Sequence, residues 1–208
     1  MEHLWLYAVL VFGIIVLPGM DMAFVLASTL MDGRRSGTAA VAGIVLGGMA
    51  HVAMSALGIG LLLQHVPVAF NVLLLAGALY VAWMGYGLLR NTHALSELQD
   101  QPSRPLQQTF VRATLTCLMN PKAYLFMLAV FPQFIRPQQG GIVAQSIALG
   151  GITSVVQIAV YGSVVLAAAQ LRVWLRSSST SQTAFSHGLG LLLMLTAGST
   201  LWMGWRTL

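Results

Sequence analysis

The chain has 208 residues, of which 57% are hydrophobic and only 7% charged, and ten Lys and Arg against five Asp and Glu leave a formal charge of +5. Soluble domains carry roughly 25% charged residues. A chain this poor in charge has no polar coat, which excludes a cytosolic enzyme, a disordered segment and a coiled coil, and leaves an integral membrane protein of one domain. The single cysteine, Cys117, excludes an internal disulfide and a cysteine-built zinc site.

A helix crosses a bilayer core with about 20 apolar residues. Six stretches meet that length, at residues 4–30, 38–64, 69–90, 110–135, 142–170 and 183–206. They predict an all-α membrane protein with six transmembrane helices in a single domain over residues 1–208. The runs are continuous, whereas a β-barrel needs short alternating segments. The first stretch does not read as a cleaved signal peptide: Glu2 and His3 stand where basic residues belong, and no small-residue cleavage site precedes DGRRSG.

The first span is interrupted by Leu17-Pro18-Gly19-Met20-Asp21 and the fourth by Met119-Asn120-Pro121-Lys122. Proline cannot donate to the helical ladder, and glycine weakens it. Asn before Pro reads as a helix N-cap followed by the first helical residue. Each of these spans is expected to be two half-helices broken near Pro18 and Pro121, with the freed backbone lining a protein-buried or wet cavity. A plain proline kink is the competing reading. The segment between, 91–109, is the longest polar stretch and reads as a linker joining repeat one (about 1–90) to repeat two (about 110–208).

The halves repeat. Shifting the first by 103 residues lays Pro18 on Pro121, Gly37 on Gly140, Ile44 on Ile147 and Leu46-Gly47-Gly48 on Leu149-Gly150-Gly151. Trp83-Met84-Gly85 recurs as Trp202-Met203-Gly204 at a shift of 119, a longer loop absorbing the difference. With three spans in each half, the second half enters the membrane inverted. Inverted repeats are a recurrent architecture of secondary transporters, with the substrate near the midplane between the halves and alternating access by rocking one against the other.

Arginines orient the spans. The loops at 31–37, 90–112 and 171–182 hold seven, Arg34, Arg35, Arg90, Arg104, Arg112, Arg172 and Arg176, while the other side has two, Arg136 and Arg206. The richer side is expected to be cytoplasmic, with both termini outside. Scattered arginines without interleaved aromatics give no footprint for nucleic acid. Trp5, Trp83, Trp202 and Trp205 read as interfacial anchors.

Two charges lie inside apolar stretches, Asp21 and Lys122. A charge at the bilayer centre costs ~2.5–3.5 kcal/mol even on insertion scales, so such groups face a cavity or a partner. Two roles compete. The pair forms a structural salt bridge, or it serves a zwitterion, Asp21 facing an ammonium while Lys122 and the half-helix N-termini face a carboxylate. Asp21 is also a candidate carrier of a coupling proton. His51 lies mid-span with Gly43, Gly47 and Ser55 at spacings of four, and span five presents Ser146, Gly150, Ser154, Gln157 and Tyr161. Close helix packing explains the glycines but neither His51 nor Gln157, which are candidates for substrate or proton binding. Small-residue faces also leave a homo-oligomer open.

No protease, hydrolase, phosphate-loop or dinucleotide motif is present. No cofactor is therefore expected, and the scattered histidines give no metal site.

LPGMDMAFVLASTLMDGRRSGTAAVAGIVLG and FVRATLTCLMNPKAYLFMLAVFPQF together resemble the two signatures of the lysine exporter (LysE/RhtB) family of amino-acid efflux transporters: a Pro-Gly break and Gly-Arg-Arg turn, then Asn-Pro-Lys and Phe-x-Pro-Gln-Phe. Met20 stands where that family usually has proline, which implies a less rigid first break. The resemblance covers nearly the whole chain. It implies export of amino acids or close derivatives from a bacterial cytoplasm across the inner (plasma) membrane, coupled to protons, and leaves the amino acid unspecified. It points to Pro18, Gly19, Asp21, Asn120, Pro121 and Lys122 as the signature residues. The alternatives are a transporter of another small metabolite or ion, and a non-transporting membrane scaffold.

Overall fold

The structure, a computed structural model, describes residues 2–57, 104–136, 138, 140–175 and 179–205, with scattered positions between 75 and 90. All regular structure among them is helical: α1 (Glu2–Val16), α2 (Met20–Asp32), α3 (Arg34–Ala56), α4 (Leu106–Leu118), α5 (Pro121–Ala129), a 3-10 turn at Phe131–Phe134, α6 (Ile142–Leu175) and α7 (Ser179–Trp205). Most of the expected third span (69–90) and most of the 91–109 linker lie outside the described residues.

Among the described residues, two helices are long and apolar enough to cross a membrane by themselves, at Arg34–Ala56 and Ile142–Val173. Two more crossings arise if each bent pair counts as one span, at Leu4–Val16 with Met20–Asp32 (bent by 58°) and Leu106–Leu118 with Pro121–Phe134 (bent by 54°). The bends fall at the two prolines, as the sequence predicts. α7 runs through the sixth apolar stretch. In each half a broken pair is followed by a glycine at positive φ, Gly33 at 89° and Gly140 at 141°, and then by a long apolar helix.

The turn expected over 31–37 is far shorter. α2 continues to Asp32 and α3 begins at Arg34, so Gly33 alone joins them, as C-cap of one and N-cap of the other. Its φ of 89° and ψ of −179° belong to a region that only glycine enters cheaply. Arg172, from the far end of α6, donates from Nη2 to Met31 O at 2.9 Å and so satisfies a carbonyl of the last turn of α2. Downstream of α5, Gln145 holds the turn into α6, its Oε1 accepting from Arg136 N and its Nε2 donating to Arg136 O, both at 2.8 Å.

The core lies between α1, α2, α3, α6 and the second broken helix. Tyr7, Val11 and Ile15 form one buried face of α1, the i, i+4, i+8 spacing of a helix stripe. Around Tyr7 gather Phe126, Phe131 and Phe134. The opposite face of α1 is equally apolar yet open, with Trp5, Val9 and Phe12 exposed, and α6 repeats this with Val143, Ile147 and Val155. Helices apolar all round with only one face on protein need a lipid solvent for the other. Trp83 and Trp202 are likewise exposed.

α3 packs most extensively on α4, and its glycines set the distance. A Cβ on Gly43 would collide with Phe110 O, and one on Gly47 would stand 2.6 Å from Cys117 Cβ. Thr114 Oγ1 reaches across to Gly43 O at 3.1 Å, and the Ser36 and Thr109 hydroxyls meet at 3.1 Å. Small residues let backbones approach, and hydroxyls then bond between helices. The packing reading of these two glycines is therefore the right one.

Candidate functional site

The two breaks generate the site. At the second, Asn120 caps α5: its Oδ1 accepts from Lys122 N at 3.0 Å, and Pro121 takes the first helical position, where no N–H is needed. That bond fixes which way the amide is turned, because only oxygen can accept it, and leaves Nδ2 pointing elsewhere. The break also strips a carbonyl of its donor. In an unbroken helix the residue at 121 would donate to Cys117 O, and proline has no N–H to give. His51 supplies the missing bond, its Nε2 lying 2.9 Å from Cys117 O. Asn120 N donates to the same oxygen at 3.0 Å. Since a carbonyl only accepts, the proton of His51 sits on Nε2. The imidazole also stands edge-on to the Tyr124 ring, centroids 4.5 Å apart.

At the first break the exposed carbonyl is that of Leu17, just past the C-terminus of α1. Lys122 Nζ donates to it at 2.8 Å. A lysine in the first turn of α5 stands at the positive end of that helix, which is unfavourable, and a bond to the negative end of α1 offsets this. Gly19 makes the reach feasible: a Cβ there would be 3.1 Å from Lys122 Nζ. Each break is thus satisfied by a side chain from the opposite half, His51 on one and Lys122 on the other. This is the condition for irregular backbone at membrane depth.

Asp21 occupies the first turn of α2, whose N-terminus has no side-chain cap. The residue is 4% exposed, its carboxyl flanked by Asn120 and Cys117 and within reach of the Lys122 charge. Asp21 Oδ1 nevertheless has no hydrogen-bond partner among the described residues, and neither has Asn120 Nδ2, whose residue is 2% exposed. Lys122 directs its hydrogen bond to Leu17 instead.

Asp21, His51, Asn120, Lys122 and Gln157 all line one half-open cavity, with about 450 Å³ of empty space when the open solvent at its mouth is counted. Five residues scattered over more than half the sequence are therefore brought together. Pro18, Gly19 and Pro121 build the breaks and do not line the cavity. The wall is apolar towards α1 (Val11, Ile14 and Ile15) and along α5 (Ala123, Phe126 and Met127).

The polar stripe of α6 differs from strict four-residue spacing. Ser146, Gln157 and Tyr161 are buried as expected, but Thr153 rather than Ser154 faces inward, its hydroxyl 2.9 Å from Tyr7 Oη. At 3.6 residues per turn one four-residue step must give way to three. Cys117 and Thr153 also line the cavity and were not singled out by sequence. The available signal for Cys117 was its place four residues before Pro121. Among the described residues no group of three or more His, Cys, Asp or Glu could hold a metal ion.

The LysE type translocator family matches residues 12–204. The chain is 31% identical over 183 residues to a homoserine/homoserine lactone efflux protein of Salmonella typhi, covering 86% of this chain and 85% of that protein. It is 30% identical over 197 residues to an uncharacterised membrane protein of Pseudomonas aeruginosa, covering 91% and 90%. It is 31% identical over 134 residues to a leucine efflux protein of Enterobacter sp., covering 64% of each. No solved structure matches the chain.

Proposed function

The chain belongs to the LysE type translocator family, a family of transporters rather than enzymes, and from that premise we propose that it exports amino acids or close derivatives from the cytoplasm. The observation that carries this reading is the cavity between the two breaks, with an unpartnered Asp21 oxygen and the Lys122 ammonium both in its wall. An amino acid is a zwitterion of matching charge. Asp21 takes the ammonium, and Lys122 with the half-helix N-termini takes the carboxylate. The names of the relatives, efflux proteins for homoserine and for leucine, agree with that class.

In this reading the fold is six transmembrane helices in two inverted repeats, 1–90 and 110–208, around the linker at 91–109. Rocking one half against the other opens the cavity to each side in turn. The proton-motive force drives export, with Asp21 as the carrier of the coupling proton. The membrane is a bacterial inner membrane, the arginine-rich side is cytoplasmic and both termini lie outside. The second reading, a transporter of another small metabolite or ion, uses the same cavity with a different occupant.

Efflux of a panel of labelled amino acids from cells expressing the chain, against cells lacking it, tests the proposal. Accelerated efflux of one or more amino acids, abolished by a protonophore, is the expected result. Unchanged efflux across the panel at normal membrane abundance overturns it.

A further inference from the structure

We propose that Gln157 is the specificity-determining residue of the cavity and selects amino acids that carry a hydroxyl on the side chain over aliphatic ones of the same shape. The inference rests on the amino-acid export reading above and adds the substrate class.

Gln157 is 5% exposed, lies mid-way along the unbroken helix α6 and lines the cavity. Its Oε1 is buried without a hydrogen-bond partner among the described residues. Buried amides are rarely left so, because the group has given up water for nothing. The other unpartnered groups of the cavity, Asp21 Oδ1 and Asn120 Nδ2, belong to the two breaks. In the export reading they serve the charged ends that every amino acid shares. Gln157 stands apart from the breaks, on a different helix, and so is left for the variable part of the substrate. A hydroxyl both donates and accepts, so it satisfies the amide whichever way the amide is turned. An aliphatic side chain satisfies neither end.

Gly48 is part of the same device. A Cβ at position 48 would stand 2.8 Å from both Nε2 and Oε1 of Gln157. The glycine clears the place in which the amide lies, and a methyl group there would push the amide aside. Because the atoms met are the far end of a flexible side chain, the helix pair itself need not move.

The test uses the full chain purified and reconstituted in proteoliposomes preloaded with labelled amino acid, with protein-free liposomes as the blank. Homoserine is compared with norvaline and threonine with valine, pairs in which the hydroxyl is replaced by a methyl group. A site built to bond a hydroxyl rejects the analogue that lacks it far better than an apolar pocket can. Wild-type efflux should favour the hydroxyl member of at least one pair by about tenfold or more. In Gln157→Leu and in Gly48→Ala that ratio should fall towards one, by different routes to the same loss. The wild-type ratio needs no variant, and Gly48→Ala keeps the amide, so a failure of Gln157→Leu to fold does not rescue the idea. A wild-type ratio near one with rapid efflux of both members overturns the selectivity and leaves amino-acid export standing. A ratio preserved in both variants overturns the role of Gln157. Absence of efflux for every amino acid overturns the export reading and this inference with it.

Discussion

His51 Nε2 lies 2.9 Å from the carbonyl oxygen of Cys117, the acceptor that Pro121, four residues on, has no N–H to reach. The histidine thus replaces a missing backbone donor at the break in the second half, while Lys122 serves Leu17 at the break in the first. Neither proline break is self-sufficient; each is completed by the other half of the chain.

His51→Ala removes that donor and leaves a cavity beside Tyr124. Loss of a buried hydrogen-bond partner costs ~1–3 kcal/mol, so the variant should melt at a lower temperature in detergent. His51→Gln, which can place an N–H near the same oxygen, should recover part of the loss. An unchanged melting temperature in His51→Ala would show that Asn120 N alone suffices for Cys117 O.

The role of Asp21 and Lys122 is separable by a double substitution. If they hold a substrate, Asp21→Asn and Lys122→Met each abolish export of the protein that reaches the membrane, Lys122→Met with a lowered melting temperature from the lost bond to Leu17 O, and the double variant does not recover export. If they are a structural pair, the single variants fold poorly, because a lone buried charge is costly, and the double variant recovers both folding and export. Export normalised to membrane abundance reads the difference. Since Asp21 Oδ1 has no partner and Lys122 donates to Leu17, the first outcome is expected.

The glycines of α3 should divide from those of α1. Gly43→Ala drives a methyl group into the backbone of α4, and Gly47→Ala into Cys117, and overpacking of this kind costs ~1–3 kcal/mol. Gly13 on α1 meets nothing within 4 Å, so Gly13→Ala should be neutral or slightly stabilising through helix propensity. Thermal unfolding of the three purified variants checks this; equal effects at all three sites would contradict the close α3–α4 approach.

Orientation is open to labelling. With Cys117 replaced by alanine, a cysteine at Thr207 should react with an impermeant maleimide on intact cells and one at Ser96 should not. Labelling at position 96 from outside reverses the assignment.

Both helix breaks, the Asn120 cap and the all-helical class were legible because proline, glycine and asparagine act locally, within one turn of helix. The gathering of Asp21, His51, Asn120, Lys122 and Gln157 at one cavity was readable in outline, since charges and amides in apolar spans need company. Their bonding was not. Lys122 going to Leu17 and His51 to Cys117 depend on where two broken helices sit in space, which no spacing reports. Strict four-residue spacing favours Ser154 over Thr153, because each such step drifts by about 40° against a helix of 3.6 residues per turn. The turn at 31–37 was read too long because arginines and a serine look like loop, whereas here Arg34 and Arg35 open a helix.

Gly33 → Ala should be among the most damaging single changes outside the cavity. The backbone there is accessible at low cost only to glycine, so strain of about 1–3 kcal/mol is expected, and the new methyl would meet Arg172 Nη1 at 2.5 Å. Trimming Arg172 to alanine relieves the collision and not the strain, so it should not restore the melting temperature of Gly33→Ala. Full restoration would mean that the collision was the whole defect.

That one-residue joint also governs how motion passes through the first half. A loop of six residues would let α2 tilt while α3 stayed still. With Gly33 alone between Asp32 and Arg34 there is no slack, and Arg172 anchors the elbow to the far end of α6. A single residue therefore separates α2, the helix that carries Asp21, from α3, which carries His51 and Gly48. The joint and the arginine that holds it are in contact, since a Cβ on Gly33 would meet Arg172 Nη1, so the ends of α2, α3 and α6 converge on a single residue.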